Sequence, residues 1–316
     1  MSGQLTTRGA ILIAGPTASG KSALALALAE AFGGEIVNAD SMQVYRELRV
    51  LTARPSAAEE ARVPHHLYGV LAGAESCSAG RWSRMALEVL RDIEARDRIP
   101  VIVGGTGLYF RALVEGLSPI PPVPAATREA VRAEVAAAGE KAHALLVEAD
   151  PELAAVIRPS DRQRIARGVE VARATGRPLS QWHREPPSPL LAGRLARIVL
   201  APERRWLQAR CDVRFEAMIG EGALEEARSL SALHLDPALP VMKSLGLRPL
   251  MDYLSGNIEL SEAVERGKAE TRRYAKRQDT WLRTQMIAWK RFDTQDSESI
   301  KAKIFSYIDD LGLTRA

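Results

Sequence analysis

An apolar pentapeptide, AILIA (10–14), runs directly into GPTASGKS (15–22), and the Ala/Leu-rich stretch from Ser22 to Phe32 holds neither Gly nor Pro. An apolar run, a glycine-bounded loop and a helix-forming run, in that order, predict strand, turn and helix. The loop fits GxxxxGK[ST] in full, and its flanks are the context that distinguishes a phosphate loop from an ordinary Gly-rich turn. Along Gly15, Pro16, Thr17, Ala18, Ser19 and Gly20, backbone N–H groups, of every residue but Pro16, can converge on phosphate oxygens. Lys21 then adds a cation and Ser22 a hydroxyl able to ligate Mg²⁺, at a helix N-terminus whose dipole favours anions. The motif establishes phosphate binding but leaves open whose phosphates are held.

The rest of the chain sets this unit in a larger α/β pattern. EIVNA (35–39), PHHLYGVL (64–71) and IPVIVGG (99–105) read as further strands, with an amphipathic helix over residues 81–98 between the last two. Strands alternating with helices argue a parallel sheet covered on both faces. After Gly116 a Pro-rich connector, LSPIPPVPAAT, opens a region (124–177) with helical patterns only, broken at Gly139, Asp150-Pro151 and Pro159. A second connector leads to LARIVLAP (195–202), assigned as a strand that returns to the sheet. From Glu203 the pattern is helical, ending in one short surface helix across SIKAKIFSYIDDLG. The expected fold is therefore α/β: a P-loop parallel-sheet core with helices on both faces (1–120 and 191–316), plus an all-helical insertion domain (121–190).

Composition narrows the partners. With 316 residues, 46% of them hydrophobic, the chain can bury a substantial core, and no apolar run approaches the ~20 residues that span a bilayer. The N-terminal decapeptide lacks the apolar centre of a signal peptide, so a cytoplasmic location is expected. Cys77 and Cys211 lie far apart without metal-ligand spacing, and the adjacent His65 and His66 would point to opposite faces of a strand, so neither pair predicts a metal site. A formal charge of +4 and a pI near 9.2 favour phosphate-rich partners. No heptad seam or long apolar edge is visible, so a monomer is expected.

An ATPase or kinase would bring a second signal, an apolar strand ending in Asp that helps hold Mg²⁺. Here VIVGGTGLYF carries Gly104-Gly105-Thr106 at its strand end, and the acid, Asp40, follows EIVNA instead. The C-terminal end of a parallel strand is where such folds place ligands. Asp40 reads as a base or metal ligand, or, more blandly, as the N-cap of a helix through SMQVYREL.

Taken together, GPTASGKS, NADSMQVYRELRVLTARPS, PHHLYG, VGGTGLYFRALVEGL, SDRQRIARGVEV, VRFEAMIGEGALEE, MKSLGLRP and AKRQDTWLR occur in order between about residues 10 and 285. This series resembles the tRNA dimethylallyltransferase family, in its bacterial form. The resemblance implies transfer of a dimethylallyl group from dimethylallyl diphosphate to the exocyclic N6 amine of the adenosine 3′-adjacent to the anticodon of tRNA. It counts Asp40, Thr106 and Arg214 as catalytic, with Asp40 in the general-base role, and gives Lys21, Ser22 with Mg²⁺, the loop amides and Arg214 the leaving diphosphate. It turns toward tRNA the segment Asp40, Ser41, Met42 and Gln43, then Thr106 and Arg128. To these it adds the segment Gln163, Arg164, Ile165, Ala166 and Arg167, and the block Lys243, Ser244, Leu245, Gly246, Leu247 and Arg248. Leu247 stands where the family often has an aromatic. Trp281 has two readings, a base-stacking surface and a core-packing residue. A small-molecule P-loop kinase, a free-nucleotide prenyltransferase and a non-catalytic RNA-binding module are the competing functions. The Arg-bearing insertion and the long C-terminal arm argue against a free nucleotide as acceptor, and the intact loop with Asp40 argues against a binding module.

Overall fold

A computed structural model describes residues 3–293 and 297–313. The chain forms two compact units, one of Met1–Val114 with Leu190–Ala316 and one of Glu115–Pro189.

The larger unit begins with β1 (Leu5–Ala14), α1 (Lys21–Ala31), β2 (Gly34–Asn38), the single turn α2 (Ala57–Glu60), β3 (His65–His66), α3 (Ala79–Ala95), β4 (Ile99–Gly104) and α4 (Gly107–Val114). The insertion unit contributes α5 (Ala125–Ala138), α6 (Ala142–Ala149), α7 (Pro151–Ala154), α8 (Arg162–Thr175) and α9 (Leu179–Trp182). The chain then returns through β5 (Leu191–Leu200), α10 (Arg204–Gly220), α11 (Ala223–Ser231), α12 (Leu247–Leu254), α13 (Leu260–Gln285), β6 (Lys290–Phe292) and α14 (Ser297–Asp310).

The six strands form one sheet in the order β3-β2-β4-β1-β5-β6, and every pairing is parallel. β1 is central because it is apolar on both sides. Leu12 faces a core with Trp82, Leu90 and Phe110, while Ile11 and Ile13 face a second core with Leu24, Leu28 and Phe32. Each such side chain, taken fully out of water, contributes about 1.5–3 kcal/mol. Register carries this burial to the strand ends: Ala14 pairs with Gly104 on one side and Val199 on the other. Loops leaving β1, β2 and β4 therefore emerge together at one edge. Trp82 of α3 fixes that edge from below. Fully buried and stacked on Tyr109 at 4.3 Å, it donates its Nε1–H to the Asn38 carbonyl at 2.9 Å.

Three expectations are corrected. The third strand shrinks to two residues, followed only by an isolated bridge between Tyr45 and Leu71. A sixth strand, β6, lies beside β5 where only helix was expected. α14 is not a surface helix: Ile304 and Ile308, one turn apart, are fully buried in the core that holds Phe32.

The insertion unit is all-helical, as expected, and has its own core of Val131, Val135, Leu146, Ile165 and Val169. It starts at Glu115, six residues before the expected boundary. Asp150 explains the break at Asp150-Pro151. Fully buried, it caps α7 by accepting from Leu153 N–H at 3.1 Å and reaches Ser180 N–H at 2.7 Å, which ties α9 to the same point.

Candidate active site

Beyond Ala14 the chain turns sharply, and Gly15 N–H hooks onto the Gly104 carbonyl at 3.3 Å. Gly20, at φ +87°, takes the left-handed conformation that opens α1. Ala18 takes it too, at φ +63°, which costs a non-glycine residue about 1 kcal/mol or more. Packing holds it there: its side chain is buried with Leu207, Cys211 and Ala275, and its carbonyl accepts from Arg210 Nε at 3.1 Å. Helices α10 and α13, nearly two hundred residues and more downstream, thus set the shape of the loop.

The same helices supply polar clamps. Gln278 of α13 accepts from Thr17 N–H at 2.8 Å and donates to the Gly105 carbonyl at 2.9 Å, bridging the phosphate loop to the end of β4. Arg214 of α10 donates to the Thr17 hydroxyl. Two buried polar atoms beside the loop, Arg214 Nε and Ser19 Oγ, have no hydrogen-bond partner among the described residues. Buried polar groups are nearly always paired, so orphans around a loop of this type are the signature of an anion's place. Burial lowers the pKa of Arg214. Lys21, held to the Pro16 carbonyl at 3.3 Å, is pushed down to about 8 by burial; Asp40 opposes that shift and Arg214 adds to it.

Asp40 lies two residues past the end of β2. Its N–H donates to Asn38 Oδ1 at 2.8 Å, and its Oδ1 accepts from Met42 N–H at 3.0 Å. This is a side-chain-closed turn, and no helix follows over residues 41–56, so the N-cap reading of Asp40 is set aside. Oδ2 has no hydrogen-bond partner among the described residues. Thr106 steadies the turn from β4: its hydroxyl accepts from Ser41 N–H at 2.9 Å, and its N–H donates to the Ala39 carbonyl at 3.2 Å. Glycine at 104 has a steric cause, since a Cβ there would lie 2.1 Å from the Ala39 carbonyl oxygen. An acid cannot stand at that strand end, and β2 carries it instead. Burial, reinforced by the negative charge of Asp40, raises the phenols of Tyr68 and Tyr274.

These groups face a cleft of about 220 Å³. Thr17, Asp40 and Arg214 form its polar side, and Leu51, Phe215 and Met218 its apolar side. Phe215 is locked in place between two glycines: a Cβ on Gly246 or Gly267 would sit 2.3 or 2.1 Å from its ring. Ser41, Met42, Lys243, Ser244 and Leu245 also line the cleft.

Several residues expected to face RNA do not present their side chains. Leu247 is fully buried in the main core, so this position offers no base-stacking surface, and Gly246 spends its positive φ of +74° on turning the chain into α12. Gln43 spends its amide on the Thr52 and Ala53 carbonyls at 2.8 and 2.9 Å. Arg248 is exposed. On α8, capped by Asp161 at 3.1 Å, Gln163, Arg164 and Arg167 are exposed, whereas Ile165 and Ala166 turn into the core of the insertion unit. Arg128, half-buried, donates to the Val123 carbonyl at 3.2 Å. Trp281 covers Gly107, where a Cβ would meet its ring at 1.8 Å, the packing role of its two readings. His66 bonds Glu35 at 2.7 Å and His65 the Val63 carbonyl at 2.8 Å.

Gln278, Tyr274, Thr271, Phe215 and Met218 were not singled out from sequence. The first three fall at i, i+3 and i+7 on α13 and therefore share one helix face, a signal that was present in the spacing.

Fold and site define a P-loop enzyme of group transfer: an anion cradle, a strand-end carboxylate with a free oxygen, and a part-apolar cleft between them. Residues 43–285 match the IPP transferase family and residues 8–66 the isopentenyl transferase family. A tRNA dimethylallyltransferase of Parvibaculum lavamentivorans is 71% identical over 307 residues, covering 97% of this chain and 98% of that protein. One from Nitrobacter hamburgensis is 52% identical over 292 residues, 92% of each chain. Among solved structures, the full-length tRNA isopentenylpyrophosphate transferase of Bacillus halodurans superposes with a TM-score of 0.68 at 32% identity, covering 96% of this chain and 98% of that one. A eukaryotic dimethylallyltransferase acting on tRNA gives 0.82 at 27% identity, covering 95% and 78%. The chain belongs to the IPP transferase family.

Proposed function

We propose that this protein transfers a dimethylallyl group from dimethylallyl diphosphate to the N6 amine of the adenosine 3′-adjacent to the anticodon in tRNA, releasing diphosphate. The observation that carries this reading is Asp40, whose unengaged Oδ2 belongs to the same cleft as the phosphate loop and Arg214. Named relatives with this activity support the choice of donor and acceptor.

The residues supply the chemistry as follows. The donor's diphosphate rests on the loop amides, Lys21 and Arg214, giving acceptors to Arg214 Nε and Ser19 Oγ. Its five-carbon chain lies along Leu51, Phe215 and Met218. An adenine N6 is a weak nucleophile because its lone pair is delocalised into the ring. As its nitrogen bonds to the allylic carbon, the carbon–oxygen bond breaks, the electron pair leaves with diphosphate, and an N6 proton passes to Asp40. Charge developing on the leaving oxygens meets fixed donors, the largest lever a protein has for such a step. Among the described residues there is no cluster of three or more His, Cys, Asp or Glu that would cage a metal, and Ser22 is exposed at the loop's end. That donor set fits Mg²⁺ held mainly by substrate phosphates, with the Ser22 hydroxyl as the protein ligand. When bound, the ion neutralises diphosphate charge.

By the same reading the enzyme acts in the cytoplasm and as a monomer; no helix among the described residues is long and apolar enough to cross a membrane. The test is Asp40→Asn, assayed with unmodified tRNA, dimethylallyl diphosphate and Mg²⁺. Removing a general base is expected to lower turnover about 10²- to 10⁴-fold with donor affinity unchanged. A loss of donor affinity equal to the loss of rate would refute the assignment, and ATP turnover without prenylation of tRNA would refute the function.

A further inference from the structure

Two of the sequence blocks meet at one carboxylate. Glu226, on α11 at the end of VRFEAMIGEGALEE, accepts the N–H groups of three successive residues in the NADSMQVYRELRVLTARPS block. Arg49 and Val50 donate to Oε1, both at 2.7 Å, and Leu51 donates to Oε2 at 3.0 Å. Adjacent N–H groups that converge on one point form an anion-binding nest, here filled by the chain's own carboxylate. Residues 46–56 form neither helix nor strand, and the other hydrogen bonds of residues 49–53 stay within residues 43–60 among the described residues. Glu226, half-buried, is therefore what ties this loop to a distant part of the chain. The loop in turn presents Leu51, only 7% exposed, to the cleft. Across from it, Phe215 and Met218 are carried by the regular backbone of α10, and Phe215 is wedged between Gly246 and Gly267. One side of the apolar subsite is thus set by a helix, and the other hangs on a carboxylate.

We propose that Glu226 is a positioning residue for the donor's hydrocarbon chain: by filling the nest it sets Leu51 against the cleft and fixes the width of the apolar subsite. This rests on the donor reading above and adds to it a residue that lies outside the cleft lining. Without the carboxylate, three N–H groups lose a charge-assisted acceptor and turn to water, and nothing outside the loop's own neighbourhood then holds the turn that aims Leu51. An apolar pocket holds its ligand through contact, and a single methylene more or less is worth about 10- to 200-fold. A displaced Leu51 therefore weakens the hold on the five-carbon chain. The diphosphate rests on other groups, the phosphate-loop amides, Lys21 and Arg214, none of which Glu226 touches, so its binding is left as it was.

The test measures two ligands on the full chain with Mg²⁺: dimethylallyl diphosphate, and methyl diphosphate, which has the same charge but lacks the five-carbon chain. Glu226→Ala is expected to weaken the first about tenfold and to leave the second unchanged. Leu51→Ala should show the same donor-only loss, and the double variant should lose no more than either single one, because both changes remove one contact. Sodium formate, a carboxylate small enough to enter the vacated nest, is expected to restore donor affinity to Glu226→Ala but not to Leu51→Ala, and sodium chloride at equal ionic strength to restore neither. If Glu226→Ala does not fold, Glu226→Gln, which keeps one acceptor oxygen for the nest, is expected to show a smaller loss confined to the donor. Equal losses for the two ligands, additive losses in the double variant, or full donor affinity without Glu226 overturn the assignment and leave the donor reading standing. A wild-type protein that holds dimethylallyl diphosphate no more tightly than methyl diphosphate overturns both.

Discussion

Donor binding is expected to weaken as the pH rises through about 8, and Lys21 sets that point. Its ammonium is pushed down to about 8 because burial outweighs the help of Asp40, with Arg214 adding to the depression. A diphosphate seated on the loop places negative charge against Nζ and favours the charged amine, so the bound state has the higher pKa. The sign follows: affinity is complete below the free enzyme's pKa and is lost as pH climbs from there toward the pKa of the complex. With a free value of about 8, the amine is about 90% charged at pH 7 and about 10% charged at pH 9. Donor Kd should therefore rise about tenfold over that interval, equivalent to about 1.4 kcal/mol. Isothermal titration of dimethylallyl diphosphate at several pH values measures this directly. Repeating the pH 9 titration in buffers of different ionisation enthalpy should show close to one proton taken up per donor bound. Lys21→Arg keeps a charge that does not titrate in this range and should flatten the profile. A wild-type Kd that stays constant between pH 7 and 9, or proton release on binding, would refute the argument that Lys21 is desolvated in the free enzyme and recharged by its ligand.

Three further outcomes are expected. Gly104→Ala brings a methyl group to 2.1 Å from the Ala39 carbonyl oxygen and must move β2 or β4; a loss of about 1–3 kcal/mol in urea unfolding is expected, with a drop in kcat because Asp40 follows Ala39. Gln278→Met fills the same space but leaves Thr17 N–H and the Gly105 carbonyl unpaired, for about 1–3 kcal/mol each at most. Its donor Kd should rise, and equal donor binding in titration would show that the bridge does not shape the loop. Leu247→Ala should cost about 2–5 kcal/mol in denaturant unfolding while RNA affinity of the folded protein stays the same. Selective loss of RNA binding would reinstate Leu247 as a contact.

What could be read from sequence divides by the distance over which the cause acts. The phosphate loop was legible because strand, left-handed Gly20, helix start and Lys21 all lie within one short stretch, and its chemistry is local. Asp40 was legible as a strand-end acid, yet its turn was not. The helix allowed by the residues of SMQVYREL loses to contacts from elsewhere: Thr106 holds Ser41, and Asp40 spends Oδ1 on Met42. Gln278 lies 261 residues from Thr17, and the geometry that joins them depends on how α13 crosses the sheet edge. β6 escaped for a different reason, since three residues, two of them exposed, carry no periodicity to detect, and short charged edge strands are what sheets use to discourage further pairing. The block motifs show a third kind of limit. Gly246 and the turn of α8 send Leu247, Ile165 and Ala166 inward while Arg248, Arg164 and Arg167 stay in solvent. A motif marks a stretch of chain, whereas a helix presents only about half of its residues to any partner. An RNA-facing set for this protein is therefore drawn residue by residue from exposure and charge. That criterion removes Leu247, Ile165 and Ala166 and keeps Arg164, Arg167 and Arg248.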